Sequence, residues 1–525
     1  LTLRPRLLGL LIASAFAAPG IMAQSVLPGN LLISRTAYAG DASTVTVGQN
    51  LPGGGTASYN GLFPNVFKNE VPDPSFGVSS PIFLDQLSTT GALISSMAID
   101  ASLVTTSFAS KSELALNLSQ DGKSVTFMGY KTAKNMLDVS NSNTLAVIDS
   151  TNPVSSIAQR AVVQVNLQSS SVQVTAVNAY SGNNGRAAVL ANNTFYMVGN
   201  AGNGSGNGTT LSQLSDNTGV QSIGVGSSGA TTAVGNVQGT FGSATGYQRG
   251  FSLAQLPDPA KPGSNYAAGK TGKDDNFRGM TVFNDTLYVS KGSGSNGVNS
   301  VYQVGAAGAL ANGGTISDAA ITVLPGFNKL SEKVAETTAT LAATPHPFGL
   351  WFANSTTLFV ADEGDGVRTG VAGKVTSFAG LQAWSLSNNS WIRTATFQQG
   401  LLDQAAYSNG LPWDVKTDGL RNITGQVNAN GSFTVFATTS TVSNELTHDL
   451  GADPNEIVSI TVDAGSTNAN TQFSVLKTAA YGERFGGVAL APVPEPETYA
   501  LMLAGLSGLA GLVSLKRRRG ARQAG

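Results

Sequence analysis

The stretch FGLWFANSTTLFVADEG, Phe348 to Gly364, decides the fold. It reads as an apolar strand, a polar turn at Asn354-Ser355-Thr356, and a second strand rich in large apolar residues. Short runs of aromatic and β-branched residues around such a turn are the signature of a tight hairpin. The same pattern returns as ELALNLSQDGKSVTFMGY (113–130), GRAAVLANNTFYMVGN (185–200) and RGMTVFNDTLYVS (278–290). Weaker copies are TTAVGNVQGTFGSA (231–244) and TGQVNANGSFTVFATTS (424–440), and RFGGVALAP (484–492) is a half-copy without a returning strand. The turn pairs Asp121-Gly122, Asn192-Asn193, Asn284-Asp285 and Asn430-Gly431 are residue types that tolerate the positive φ of tight hairpins.

Between the copies lie further strands, such as IFLDQLSTTGALISSMAI (82–99), SVYQVG (300–305) and GLQAWSL (380–386). A repeat that holds an inner hairpin and one or two outer strands is a propeller blade. Seven copies predict an all-β, seven-bladed propeller over residues 24–492. The orphan last strand would be completed by LLISRTAYAG (31–40), which joins the two ends of the chain in one blade. A β-sandwich array or a β-solenoid is the alternative, although uneven spacing argues against a regular solenoid. Helical periodicity is nearly absent, with Lys329 to Leu341 the one short helix expected in the body.

Composition narrows the class of function. The 525 residues include no cysteine, so disulfides, thiolate metal sites and thiol nucleophiles are excluded. Without residues 1–23 and 494–525 the chain keeps 23 basic and 29 acidic residues, a mildly acidic balance unlike a nucleic-acid surface. Residues 1–23 carry Arg4 and Arg6, an apolar run from Leu7 to Ala18, a break at Pro19-Gly20 and a small residue at Ala23. That is the pattern of a Sec-type signal peptide, which implies the Sec translocon and signal peptidase as partners.

The other end, 493–525, has three blocks. Val493-Pro494-Glu495-Pro496-Glu497 is acidic and held extended by its prolines. Thr498 to Leu515 is uncharged and almost wholly apolar, and as a helix would measure roughly 27 Å, just under the hydrocarbon core of a bilayer. Lys516, Arg517, Arg518, Arg519 and then Arg522 form a basic cluster that should stay cytoplasmic, leaving the body outside. This order resembles the PEP-CTERM sorting signal of Gram-negative bacteria, with Val493, Pro494, Glu495 and Pro496 as the motif. The resemblance implies recognition and processing by exosortase, a membrane protease-transpeptidase, during export. It further implies a transient inner-membrane anchor, a final place in the outer envelope or outside the cell, and an association with exopolysaccharide and biofilm. An ordinary C-terminal anchor is the plainer reading. The body also resembles secreted bacterial propeller proteins of unassigned function, through its FLDQ (83–86), LYVS (287–290), LFVADE (358–363) and RFGGVAL (484–490) strands.

Candidate chemistry is sparse. The two histidines, His346 and His448, lie in different repeats, and no GxSxG, HExxH or GxxxxGK motif occurs. Asp362, Glu363 and Asp365 form the densest acidic cluster on a glycine turn, a donor set that suits Ca²⁺; the alternative is a solvated strand end. Asp274, Asp275 and Asn276 form a weaker group. Lactonase-like propellers hold a channel metal with acids and amides from several inner strands, and Glu113, Asn193 and Asp362 are the residues here that such an arrangement would use. Trp351, Trp384, Trp391 and Trp413 would either stack on sugar rings or fill space between sheets. Two functions follow: a non-catalytic envelope or matrix protein that needs no cofactor and binds exopolysaccharide or envelope proteins, or a metal-dependent hydrolase.

Overall fold

A computed structural model describes residues 25–493, apart from most of 41–76, the connections 203–212, 240–246, 293–295, 332–343, 367–377, 409–413 and 444–452, and a few single positions. The expected signal peptide, the apolar run 498–515 and its basic cluster lie outside the described residues, as does most of the expected helix. Among the described residues no helix is long and apolar enough to cross a membrane.

Six four-stranded antiparallel sheets are arranged as blades around one axis. Their innermost strands are Glu483–Leu490 (blade 1), Asn117–Leu118 (2), Gly185–Ala191 (3), Gly279–Phe283 (4), Pro347–Asn354 (5) and Val415–Val427 (6). These strands neighbour one another in a closed ring. The chain is thus an all-β propeller, with six blades where the sequence predicts seven. The surplus copy, 231–244, is not an inner hairpin. Thr232–Ala233 pairs with Gln221 and Ser222 as the outermost strand of blade 3, and Val237–Gln238 pairs with Gln248–Arg249 in a separate ribbon. Its alternation resembles the hairpin pattern, but its pairing partner, the third strand of blade 3, places Thr232–Ala233 at the outer edge of the sheet.

The other copies fold as expected because their turns are locally determined. Asn192 and Asn193 adopt φ of 45° and 62°, and Asn284 and Asp285 adopt 44° and 54°. Two consecutive positive φ values define the turn whose twist matches a tight hairpin. The second strands, such as Thr194–Gly199 and Thr357–Asp362, are buried at nearly every position, because neighbouring blades cover both faces of each sheet. Close to the axis, backbones touch. A Cβ on Gly279 would lie 1.9 Å from the carbonyl oxygen of Phe348, and one on Gly486 would lie 2.2 Å from Leu114 Cβ.

The ring closes in blade 1. Glu483–Leu490 pairs antiparallel with Leu31–Ala37, from Leu31↔Leu490 to Ala37↔Glu483, and Ile82–Leu87 and Leu93–Ala98 complete the sheet. Two buried asparagines of blade 6 clasp the closing strand. Asn455 Nδ2 donates to the carbonyls of Phe485 (2.9 Å) and Thr439 (3.0 Å), while its Oδ1 accepts from the Phe485 amide (2.8 Å). Asn422 Oδ1 accepts from the Val488 amide at 2.7 Å and from Leu116 of blade 2 at 3.3 Å.

Asn455→Ala leaves three buried backbone groups without these bonds, so we expect a loss of about 2–4 kcal/mol of stability. Urea unfolding of the purified body measures it; an exposed amide such as Asn430, changed to Ala, serves as the control.

Candidate functional site: the long-loop end of the channel

The alternation of strand directions sorts the connections onto two faces. The first-to-second strand turns of blades 2 to 6 all lie at one end of the axis, which we term the hairpin face. The second-to-third connections and the crossings between blades lie at the other, and these include long segments such as Lys131 to Gln159 and Asp362 to Gly380. The start of each inner strand meets this long-loop face.

Four inner strands bring an arginine to that end. Arg484 in blade 1, Arg186 in blade 3, Arg278 just before the inner strand of blade 4, and Arg421 in blade 6 are all buried. Arg186 donates to Asn276 Oδ1 and to the carbonyl of Phe277 (3.3 Å), and Arg484 Nε donates to the carbonyl of Phe108 (3.1 Å). Arg421 Nε pairs with Glu363 Oε2 at 3.3 Å. Burial lowers the pKa of Arg421, Glu363 and Asp418 offset that, and the nearby charge of Arg278 lowers it further. Arg278 and Arg421 therefore share one electrostatic neighbourhood across the axis.

Blade 2 contributes Glu113, which is buried and accepts from Tyr130, from Asn184 Nδ2 (2.8 Å) and from Thr106 Oγ1 (3.3 Å). Burial pushes its carboxyl up, against the pull of Tyr130, Ser110 and Arg484. A further arginine, Arg160, has its pKa lowered to about 10 by burial and donates to the carbonyls of Ser140 (2.7 Å), Ser142 (2.9 Å) and Ala158 (2.7 Å), which pins a loop.

The structure places the expected metal residues as follows. Asp362 is fully buried: its Oδ2 accepts from the His346 amide (2.7 Å) and from Gln382 Nε2 (2.9 Å), and its Oδ1 accepts from the Gly364 amide (3.1 Å). Glu363 faces Arg421, and Asp365 is only half-buried on the turn. Among the described residues, no three His, Cys, Asp or Glu side chains gather as a metal-holding group. Glu113, Asn193 and Asp362 are not brought together, since Asn193 occupies a turn of the hairpin face. His346 lies beside Asp362 as its backbone donor; His448 lies outside the described residues.

Asp274 and Asp275 anchor the joint of blades 3 and 4 by accepting from the amides of Leu253 (2.8 Å) and Phe251 (3.1 Å). Burial, then the charge of Asp274, push the Asp275 carboxyl well up. Trp384 stacks on Phe327 with ring centroids 3.9 Å apart, and Trp391 meets Phe352 edge-on, so both fill space between blades 4 and 5. Trp351 stacks on Phe359 at 5.6 Å, and Trp413 is outside the described residues.

The four inner-strand arginines were missed by the sequence reading. A signal existed: each stands within two residues of a glycine near the start of its repeat, in GRAA, FRGM, DGLRN and ERFGG. What the arrangement offers chemically is buried positive charge with amide and carboxylate neighbours, a setting for holding anions.

Residues 492–519 match the PEP-CTERM protein-sorting motif. No match emerged among curated proteins. Among solved structures, similarity was found to a 6-phosphogluconolactonase candidate from Bacteroides uniformis, at 10% identity, TM-score 0.31 and coverage of 86% of this chain and 83% of that one. The soluble aldose sugar dehydrogenase of Escherichia coli gives 12% identity and TM-score 0.30, covering 70% and 91%. An acylaminoacyl peptidase from Pyrococcus horikoshii gives 6% and 0.29, covering 76% of this chain and 41% of that one. Likenesses this loose carry no chemistry to the present chain. The tail motif does carry a consequence: the propeller is an export product marked for exosortase sorting.

The buried carboxyl of Asp362 yields a pH prediction. Burial above all pushes its pKa up to about 6 from the ordinary 3.8. The folded state then keeps the proton to higher pH than the unfolded chain. The contribution of this group is full below its unfolded pKa and is lost as pH rises through about 6, up to about 3 kcal/mol in all. Asp362→Asn should remove that share, so its unfolding free energy falls less between pH 4 and pH 7 than that of the parent, as urea melts at both pH values would show.

Proposed function

We propose that this chain is an envelope or extracellular-matrix protein, exported through the Sec translocon and sorted by an exosortase. In this reading its propeller is a non-catalytic platform. The long-loop face binds exopolysaccharide or another envelope protein, and no cofactor is needed. The observation that carries the proposal is the sorting motif fused directly to the strand that closes the propeller. The buried arginines favour partners with carboxylate or phosphate groups, since a guanidinium presents a fixed fork to such anions. The commitment of Asp362 and Glu363 to N–H and guanidinium donors favours binding over metal-assisted hydrolysis.

The prolines and acid of the motif form a strip that a processing enzyme grips, while the apolar run and basic cluster hold the chain in the inner membrane. Replacing Pro494, Glu495 and Pro496 with alanine should therefore yield a longer, membrane-retained protein instead of a trimmed one. Deleting Thr498 to Gly525 should release a soluble body. Mass spectrometry of the natural protein checks the reading, and peptides of the apolar run still joined to the fully exported body would refute it. A purified body that hydrolyses lactones, and stops when EDTA is added, would refute the non-catalytic part.

A further inference from the structure

The inner strand of blade 1 is unlike the other five. Each of those turns back into a hairpin at the same end of the axis, whereas Glu483–Leu490 ends there and becomes the tail. The exit is fixed for two residues more. The Ala491 amide donates to Asn30 (2.9 Å), and its carbonyl accepts from Gly29 (2.9 Å). Pro492 lies so close to the Asp121-Gly122 turn of blade 2 that a Cβ on Gly122 would meet its ring at 3.2 Å. Val493 follows, 63% exposed. Pro492 also stands on the rim of a cavity of about 590 Å³ that forms the hairpin-side mouth of the channel, lined by inner-strand residues that include Leu116, Val282, Trp351, Ile423 and Val488.

We propose that the hairpin face is the membrane-facing surface of this protein while its tail is intact, seated against the outer leaflet of the inner membrane with the channel mouth towards the lipid. The proposal rests on the sorting reading above, and three observations carry it. The first is length. From Val493 to Thr498, where the apolar run begins, five residue steps reach at most roughly 17 Å. The eight-residue inner strand Glu483–Leu490 alone spans roughly 24 Å over its seven steps. The link is shorter than the propeller is deep, so the tail cannot pass round to the long-loop face.

The second observation is shape. The hairpin face carries tight turns at Asp121-Gly122, Asn192-Asn193, Asn284-Asp285 and Asn430-Gly431, with 305–320 and 463–473 as its longer connections, while the longest connection between described strands of one blade, Lys131 to Gln159, starts and ends on the opposite face. The third is chemistry: asparagines and glycines make six of the eight positions of these turns, with Asp121 and Asp285 the two acids, and Leu27, Val427 and Val493 expose aliphatic surface on the same side. The consequence is polarity of display. The long-loop face, with the buried arginines at its channel end, points away from the bilayer throughout the anchored stage.

The absence of cysteine makes a direct test available. Single cysteines are placed on the hairpin face (Lys123→Cys, Val427→Cys) and on the long-loop face (Ser102→Cys, Lys134→Cys), all at exposed positions. Each is combined with alanines at Pro494, Glu495 and Pro496, and spheroplasts are treated with a bulky maleimide-polyethylene glycol. The expected result is loss of labelling at the two hairpin-face sites with full labelling at the other two. In the form lacking Thr498 to Gly525 all four sites should label equally, and a urea melt of each such soluble variant matching the parent's shows that it folds. Equal labelling of both faces in the membrane-retained form overturns the placement while leaving the sorting reading intact. Failure of the alanine form to stay in the membrane overturns the sorting reading, and the placement with it.

Discussion

Everything in this molecule depends on the pairing of Leu31–Ala37 with Glu483–Leu490. An open row of blades would leave two sheets with one bare face each and an unpaired inner edge, which costs apolar burial and backbone hydrogen bonds together. Closure brings together groups far apart in sequence: Arg35 bonds Glu483 at 2.5 Å and Asp85 at 2.7 Å. The loop-closure cost rises only slowly with length, so even this long ring is closed at modest entropic expense once the strands find register. The buried amides of Asn455 and Asn422 then fix that register, since a slip would strand their donors and acceptors among apolar neighbours.

The same closure gives the tail its place. Because the last strand is innermost, the sorting motif leaves the body at the axis and not at the rim. A protein closed by an outermost strand would release its tail from the side, where a short link sets no orientation. Here fold topology and sorting chemistry are coupled through Pro492, whose neighbours belong to blade 2 and to the segment preceding the first strand.

At the opposite end the structure concentrates charge where water is scarce. Arg186 and Arg484 are held by carbonyls and an amide, and Arg421 by the Glu363 carboxylate. The desolvation cost of such buried ionic groups offsets much of their Coulombic attraction. Asp275 and Glu113 show the complementary effect, with burial pushing both carboxyls towards the neutral form. Desolvation sets the electrostatics of this end, and the long connections decide what reaches it.

The hairpins, the all-β class, the joining of the ends and the sorting tail were legible in the sequence, because each is a local matter. Asn192-Asn193 or Asn284-Asp285 determines its turn from the φ those residues tolerate, and Pro494 and Pro496 stiffen their own strip. Blade number and site were decided only by tertiary structure. The copy at 231–244 has strand periodicity, but distance from the axis depends on which strand it pairs with, and Thr232 pairs outward. Asp362 and Glu363 are adjacent in a motif that looks like a metal loop, yet their partners, Gln382 and Arg421, come from elsewhere in the ring. Four arginines from four repeats converge because inner strands of a closed ring begin at one end of one axis. Spacing along the chain encodes the repeat; only closure of the ring sets which side chains meet.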